Sequence, residues 1–314
     1  MKKVCAILMA VCLLLAGLCP ALAEEKTYSI GICQLAPHPA LDAATKGFRD
    51  AITDALGAEN VTFDEQNAAG DSATCATICN GFVSSGVDLI LANATGALQA
   101  AAAATKDIPI LGTAVTEYGV ALGIDNFSGT VGGNISGTSD LAPLDQQAAM
   151  LTELFPDAKN VGIIYCSGEA NSVYQADVVK AALEKSGCTV NVYKFSDTND
   201  VVSVTAAACD ANDVLYIPTD NTAASCAEAI KSAATKPIIA GEEGICKGCG
   251  VATLSIDYYE LGRTTGEMAV KILKGEADIS TMAIEYYPNP VKKYNPEMAT
   301  AYNVTIPSDY AAIG

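Results

Sequence analysis

The stretch Asp88-Leu-Ile-Leu-Ala-Asn-Ala-Thr-Gly96, followed by a helical segment and Ile108-Pro-Ile-Leu-Gly112, decides the fold. An echo begins 125 residues later as Asp213-Val-Leu-Tyr-Ile-Pro-Thr-Asp-Asn221, again with a helical segment, and ends in Lys236-Pro-Ile-Ile-Ala-Gly241. In each copy an apolar run of strand length leads into a helix and a second apolar run. A unit repeated in this way predicts two similar α/β lobes.

The same alternation extends outward along the chain. Strands are predicted at 28–33, 61–65, 87–92, 108–112, 161–166, 189–195, 214–218, 237–240 and 251–255, with helices at 41–56, 73–84, 172–186 and 258–274. The continuous apolar strands predict parallel sheets covered by helices on both faces. The Gly-rich segment Gly129 to Gly137, followed by Pro143, is predicted to cross between the lobes. Ligands bind beyond the carboxyl ends of such strands, so a cleft between the lobes is the expected site.

Composition excludes several function classes. The chain has 314 residues, a formal charge of −18 and one histidine. The length suits two lobes, and the negative charge argues against nucleic acid and anionic membrane surfaces as partners. With His38 alone, histidine-based triads have one possible base and a multi-histidine metal site is impossible. P-loop, G-x-S-x-G, HExxH and dinucleotide-binding motifs are missing, so we predict no enzyme, cofactor or metal.

The first 23 residues have the pattern of a secretory signal peptide. Lys2 and Lys3 precede an apolar run from Val4 to Leu18, and Ala21-Leu22-Ala23 is an A-x-A cleavage signature. Cleavage after Ala23 predicts an exported, soluble chain. The alternative is a lipid anchor on Cys19, although Leu18 stands where a lipobox has a small residue.

The cysteines are interpreted as small buried hydrophobic residues, with room for one bridge. Nine of the 12 follow Ala23, and an odd number leaves at least one free thiol. Cys246-x-x-Cys249 has zinc or redox spacing, but its only companion pair, Cys75 and Cys79, has helical i, i+4 spacing without the short Cβ separation of a disulfide.

At two places a predicted strand ends and a helix begins, and the residues there predict a zwitterionic ligand. The Thr95 hydroxyl and the N–H groups of Gly96 and Ala97 suit a carboxylate, and Asp220 at the matching point of the second lobe suits an ammonium. The alternative is that Thr95 and Asp220 only cap their helices. Glu242 either lines the cleft or is solvated, and His38 either packs on the ligand or is solvated in its loop.

Several motifs together resemble one family, the ABC-transporter substrate-binding proteins, and within it the aromatic amino-acid binding proteins of the tryptophan/tyrosine type. The motifs are 31–42, 46–48, 67–71, 94–95, 113–116, 133–140, 168–172, 218–221 and 257–262, in order over nearly the whole mature chain. One departure stands out: the family usually continues Thr113-Ala-Val-Thr116 with Asp-Pro, where this chain has Glu117-Tyr118.

The resemblance implies a type I periplasmic-binding-protein fold with three interlobe crossings. Lobe one would hold residues 24–141 and 256–281, and lobe two residues 142–255 and 282–314. The family's cleft residues fall on Leu35, His38, Thr95, Gly96, Thr116, Asn171, Ser172, Asp220, Asn221 and Glu242.

The function implied is capture of Trp, Tyr or Phe by a monomer and delivery to a membrane permease. The alternative is an exported ligand-sensing receptor ectodomain of the same fold.

Overall fold

The computed structural model describes residues 26–314 as two β-sheets flanked by helices. The first lobe contains β1 (Tyr28–Gln34), α1 (Pro39–Leu56), β2 (Val61–Asn67), α2 (Ser72–Ser85), β3 (Leu89–Asn93), α3 (Thr95–Ala104), β4 (Ile110–Val115), α4 (Tyr118–Leu122) and β5 (Ile135–Ser139). The second lobe contains α5 (Leu144–Leu154), β6 (Asn160–Cys166), α6 (Ala170–Lys185), β7 (Thr189–Phe195), α7 (Val201–Ala211), β8 (Val214–Ile217), α8 (Asn221–Ser225), α9 (Ala227–Ala233), β9 (Ile238–Ala240), α10 (Glu243–Cys249) and β10 (Ala252–Ser255). The chain continues with α11 (Tyr258–Leu273), β11 (Glu285–Tyr286), β12 (Val291–Tyr294), α12 (Pro296–Ala301) and β13 (Ala311–Ala312).

The strand orders are β11-β5-β4-β3-β1-β2 in the first sheet and β13-β12-β10-β9-β8-β6-β7 in the second. All pairs of the first sheet are parallel, and the antiparallel pair of β10 with β12 is the exception in the second. The α/β prediction with parallel sheets is therefore confirmed. The central strands β3, β4 and β8 are buried along their whole length, as apolar strands covered on both faces should be.

The two copies of the repeat perform the same structural task. Asp88 Oδ2 accepts the N–H of Ser29 at 2.8 Å, at the start of the neighbouring strand β1. In the second lobe, Asp213 Oδ2 accepts the N–H groups of Lys159 and Asn160 at 2.9 and 2.8 Å, at the start of β6. In each lobe, the carboxylate therefore accepts backbone N–H at the start of the strand that neighbours its own strand in the sheet. The sequence repeat therefore corresponds to the same local structure in both lobes.

The chain passes between the sheets after β5, after β10 and after β11, so the three implied crossings are present. The prediction that Gly129 to Gly137 forms a crossing was wrong, because β5 begins at Ile135 and stays in the first sheet. The crossing follows it, between Ser139 and Leu144. The lobe boundaries themselves stay a prediction, and β11 pairs with the first sheet beyond the predicted boundary at residue 281.

Helix α11 returns from the second lobe and packs closely on α1. A Cβ on Gly47 would lie 2.0 Å from the Tyr259 carbonyl oxygen, and one on Gly262 would lie 2.0 Å from the Ala44 carbonyl oxygen. Two glycines on facing helices therefore let the backbones touch, which fixes α1 at the edge of the cleft.

Among residues 26–314, no helix has both the length and the apolar character needed to span a bilayer. The predicted signal peptide and Cys19 lie outside the described residues.

Candidate functional site

A cavity of about 420 Å³ lies between the carboxyl ends of the two sheets. The first lobe supplies the loops after β1 and β2 and the start of α3, and the second supplies the loops after β6, β7 and β8. Five of the predicted residues line it: Leu35, Thr95, Gly96, Asn171 and Asn221. Its volume falls in the range of about 300 to 1,000 Å³ typical of small-molecule sites.

The start of α3 presents unpaired backbone donors to this cavity. Ala94 precedes the helix with a φ of 90°, and no side chain within residues 26–314 caps the first turn. A φ in this region is strained for a residue other than glycine, and such strain is concentrated at functional sites. Thr95 and Gly96 line the cavity, whereas the Ala97 side chain is fully buried in the core and offers only its backbone. Unpaired N–H groups at the positive end of a helix attract an anion.

Glu169 lines the cavity, although it is not among the ligand-binding residues predicted from the sequence. Its Oε1 accepts the N–H and hydroxyl of Thr222 at 2.8 and 2.7 Å. Its Oε2 accepts the backbone N–H of Asn221 at 3.0 Å and the Nδ2 groups of Asn221 and Asn171 at 2.7 and 3.1 Å. The signal was available, because Glu169 stands in the polar 168–172 motif beside two selected residues.

Asp220 lies behind that layer, 1% exposed. Oδ2 accepts the N–H of Cys166 at 2.7 Å and Oδ1 accepts the N–H of Ala223 at 2.7 Å, so the side chain caps α8 and joins it to the end of β6. Burial raises the pKa of the Asp220 carboxyl to about 8, with a further contribution from the negative charge of Glu169. Two carboxyls therefore share one wall of the cleft.

Asn171 and Ser172 begin α6 beside this pair. Asn171 Nδ2 donates to the Thr219 carbonyl oxygen at 3.0 Å, and Ser172 is fully buried. Asn171 is thereby held at the cavity wall, whereas Ser172 supports the wall from behind and does not line the cavity.

His38 makes a contact across the cleft. It stands just before α1, and its Nε2 lies 3.1 Å from Oδ1 of Asn221 in the other lobe. An imidazole that carries its proton on Nε2 donates this bond. The ring is 6% exposed, and Nδ1 has no hydrogen-bond partner within residues 26–314. His38 therefore packs between the lobes and is not solvated in a loop.

Glu242 lies away from the 420 Å³ cavity. It caps α10, where Oε2 accepts the N–H of Gly244 at 2.6 Å and Oε1 accepts the N–H of Ile245. Burial raises its pKa, and the nearby His38 acts in the opposite direction. Glu242 borders a second cavity of about 700 Å³ between the lobes, next to Tyr258. Glu242 does not line the 420 Å³ cavity, so its predicted contact with ligand stays a prediction.

Thr116 directly follows β4 in the first lobe. It is 2% exposed, and its carbonyl oxygen accepts the Ser139 hydroxyl at 2.8 Å. The unusual pair that follows builds a short helix: Glu117 caps α4, and the buried Tyr118 donates its hydroxyl to the Thr138 carbonyl oxygen at 3.0 Å. Thr116 does not line the 420 Å³ cavity, so its predicted contact with ligand stays a prediction.

The nine cysteines in the described part of the chain are all free thiols. Cys246 and Cys249 are buried on α10, and Cys249 Sγ donates to the Ile245 carbonyl oxygen at 3.4 Å. Within residues 26–314, no group of three or more His, Cys, Asp or Glu side chains is arranged to hold a metal ion.

Comparisons with known proteins agree on one family. Residues 29–310 match the family described as ABC transporter substrate binding protein. A protein of Clostridioides difficile named tyrosine-binding protein is 39% identical over 259 residues, which are 81% of this chain and 75% of that one.

Two solved structures are similar to this chain over most of its length. An ABC domain from Streptococcus pneumonia in complex with L-Trp is 32% identical and covers 90% of this chain and 97% of its own, with a TM-score of 0.86. The ligand-free, open structure of a substrate binding protein with adhesive properties from Clostridium difficile is 37% identical and covers 91% and 99%, with a TM-score of 0.70.

The fold is that of the type I periplasmic binding proteins, and the match covers both lobes and the cleft between them. The chain belongs to the family of ABC-transporter substrate-binding proteins.

Proposed function

We propose that the protein captures one aromatic α-amino acid, Trp, Tyr or Phe, in the 420 Å³ cavity and delivers it to the permease of an ABC importer. The observation that carries this proposal is the uncapped start of α3 on one side of the cavity and Glu169 on the other, with the buried Asp220 behind Glu169. An anion acceptor on one lobe and negative charge on the other match the two ends of a zwitterion.

The charge distribution supports an ammonium at the second-lobe wall. None of the ion pairs formed within residues 26–314 involves Glu169 or Asp220. A buried carboxyl without a cation is costly, and the raised pKa of Asp220 expresses that cost. A ligand ammonium would supply the missing charge. Asp220 and Glu169 are therefore assigned to the ammonium, and Thr95 with the N–H groups of Gly96 and Ala97 to the carboxylate.

The aromatic side chain is proposed from the relatives, since the curated relative is named for tyrosine and the solved one holds L-Trp. In this chain Leu35, Ala36 and Pro37 form an apolar part of the cavity wall, and no aromatic residue lines the cavity in the described part of the chain. The ligand ring would pack on aliphatic groups rather than stack on another ring.

Calorimetry of the folded, ligand-stripped protein against all twenty amino acids tests the proposal. We expect binding of at least one of Trp, Tyr and Phe, and loss of binding when that ligand lacks its amino group or carries a carboxamide. No heat with any of the twenty would overturn the amino-acid assignment, and binding restricted to non-aromatic ones would overturn the aromatic one.

Members of this family that serve importers act outside the cytoplasm, and we propose that this chain reaches that location by cleavage after Ala23. N-terminal sequencing of the secreted protein should begin at Glu24. A blocked, lipid-modified Cys19 would support the anchored alternative instead.

Neighbouring permease and ATPase genes would favour the transport function over the alternative of a receptor ectodomain.

A further inference from the structure

Gln175 is a buried amide behind the second-lobe wall of the cavity. It lies on α6, is 1% exposed and does not line the cavity itself. Its Nε2 donates to the Thr219 carbonyl oxygen at 3.1 Å, and its Oε1 accepts the Thr219 N–H at 3.1 Å. Nε2 also donates to the Asn171 carbonyl oxygen at 3.1 Å, one turn earlier on α6. One side chain therefore holds both backbone polar groups of Thr219.

Thr219 lies in the turn from β8 to α8, where the backbone leaves the sheet. Pro218 follows the strand and has no N–H to donate. In the first copy of the sequence repeat, Ala94 occupies the position of Thr219, and its N–H donates to the Thr113 carbonyl oxygen of the neighbouring strand β4 at 3.0 Å. The sheet therefore holds this turn in the first lobe, whereas the Gln175 side chain holds it in the second.

The turn that Gln175 holds leads into the cavity wall assigned to the ligand ammonium. The N–H groups of Asn221 and Thr222, at the start of α8, donate to Glu169 at 3.0 and 2.8 Å. Glu169 directly precedes α6, so these bonds require the start of α6 and the start of α8 to keep their relative position. Gln175 joins these two elements. A shift of one against the other would change the position of Glu169 relative to Asp220.

The chemistry of the amide suits this task. A Gln side chain carries a donor and an acceptor at its tip, and the Thr219 backbone uses both. Asn171 Nδ2 donates to the same Thr219 carbonyl oxygen at 3.0 Å. Loss of the Gln175 amide would therefore leave this carbonyl with one donor and the Thr219 N–H without its acceptor. An unpaired buried N–H is costly, so the turn would move to find a new partner.

We propose that Gln175 is a positioning residue for ligand capture, which fixes the turn after β8 against α6 and so sets how the second-lobe wall meets the ammonium of an amino acid. This inference rests on the proposed amino-acid function. Gln175 acts on one end of the ligand, because the start of α3, which is assigned to the carboxylate, belongs to the other lobe. Its loss should weaken recognition of the ammonium and leave recognition of the carboxylate unchanged.

Calorimetry on Gln175→Met tests the proposal, because methionine fills a similar space without the amide donor. The probes are L-Trp, L-Tyr and L-Phe, each with its des-amino analogue and its carboxamide. We expect the amino acid to bind at least ~10-fold more weakly, and its preference over the des-amino analogue to fall by a similar factor. The preference for the amino acid over its carboxamide should stay within about 2-fold, since the carboxylate site is unaltered.

The matched control is Asn212→Leu. Asn212 is also a buried amide of the second lobe, 3% exposed, but it lies at the amino end of β8, where its Nδ2 donates to the Ala208 carbonyl oxygen at 2.8 Å. Both variants should lower the Tm by roughly 2 to 8 °C, and only Gln175→Met should change the ligand preference. Gln175→Asn, whose amide is one methylene too short to reach Thr219, should show the same change in preference and serves where Gln175→Met does not fold.

Hydrogen exchange of the ligand-free proteins gives an independent measurement. The N–H groups of Asn221 and Thr222 should exchange faster in Gln175→Met than in the unaltered protein or in Asn212→Leu, because their bonds to Glu169 are weakened. Unchanged exchange at these two positions, unchanged ligand preferences, or an equal fall of both preferences would each overturn the proposal. Failure of the unaltered protein to bind any of the three amino acids would instead overturn the proposed function, and with it the role in capture, even where exchange shows that Gln175 holds the turn.

Discussion

Charge at single residues decides which end of a ligand each wall of the cleft can hold. At the second-lobe wall, Asp220 already accepts two backbone N–H groups, and its pKa is nevertheless raised to about 8. Helix capping therefore does not offset the cost of burial beside Glu169. The two interpretations of Asp220 that the sequence left open are compatible, because its side chain caps α8 and forms no ion pair with a cation of residues 26–314.

Replacing Asp220 by Asn should weaken amino-acid binding by at least ~10-fold, which is ~1.4 kcal/mol. The variant removes the charge that the ligand ammonium would meet, although its amide also faces the Cys166 N–H. Asp213→Asn is the matched control, since Asp213 also accepts backbone N–H groups but lies away from the cavity. Calorimetry on both variants, with thermal unfolding to compare stability, makes the measurement. Equal affinity in the two would remove Asp220 from the site.

Thr95→Ala should cost only about 0.5 to 1.5 kcal/mol of binding free energy, because most of the carboxylate interaction is assigned to the backbone. Replacing the ligand's carboxylate by a carboxamide should cost more in the unaltered protein, since the charge that meets the helix end is lost. The control is Thr77→Ala, because the Thr77 hydroxyl donates to the Ala73 carbonyl oxygen on the exposed face of α2, away from the cavity. If acid and amide bind equally well, the carboxylate lies elsewhere.

At the scale of elements, the sequence predicted the long buried strands because their apolar runs are continuous. It missed β5, β11, β12 and β13 for physical reasons. β5 is buried but polar, and Thr138 is satisfied by the hydroxyls of Thr113 and Thr265 at 3.2 and 2.8 Å. β11 and β13 are two-residue exposed strands, and β12 has two lysines at its centre and therefore no apolar run. Such strands are determined by their pairing with neighbouring strands in the folded protein, which a local sequence pattern does not reveal.

The packing of α1 on α11 gives a prediction at this scale. Gly262→Ala places a methyl group against the Ala44 carbonyl oxygen, a rigid backbone atom, so it should destabilise the fold by roughly 1 to 3 kcal/mol. Gly81→Ala on helix α2 is the matched control, because an added Cβ at this position has no heavy atom within 4 Å. That variant should be stabilised by about 0.5 to 1 kcal/mol. Urea unfolding of both compares them, and a loss of stability in the two alike would contradict the packing argument.

At the scale of the whole molecule, the two lobes are separate α/β units joined by three crossings, so their relative position can change on binding. The sequence predicted the lobes and the cleft from the repeat. It could not predict which residues meet across the cleft, because the contact of His38 with Asn221 depends on how far the lobes close. Five of the eleven predicted residues line the cavity. Asp220 and Glu242 accept backbone N–H groups behind or beside it, and the Thr116 carbonyl oxygen accepts the Ser139 hydroxyl.

Closure should therefore depend on His38. We expect small-angle scattering to show a smaller radius of gyration with ligand than without, and His38→Ala to weaken affinity by roughly 2- to 10-fold through loss of one hydrogen bond in the closed form. The variant should reach the same compact state at saturating ligand. A radius that is unchanged by ligand in the unaltered protein would contradict closure.

The last prediction concerns Asp140, at the first crossing between the lobes. Its Oδ2 accepts the Tyr258 hydroxyl at 2.9 Å, and its Oδ1 has no partner within residues 26–314. Burial raises the pKa of the Asp140 carboxyl to about 6, from an ordinary value of 3.8. Between these two values the folded state holds more proton than the unfolded state, so the free energy of unfolding falls as pH rises from about 4 to about 6.

The Asp140 contribution to that fall is roughly 3 kcal/mol, and above pH 6 it is complete. Asp140→Asn cannot ionise and still accepts the Tyr258 hydroxyl, so its stability should fall less over this range and exceed that of the unaltered protein at pH 7. Tyr258→Phe should steepen the fall instead, because the ionised carboxylate then loses its donor. Urea unfolding of the three proteins at closely spaced pH values gives the comparison. Parallel profiles for the unaltered protein and Asp140→Asn would show that the crossing carries no such buried charge.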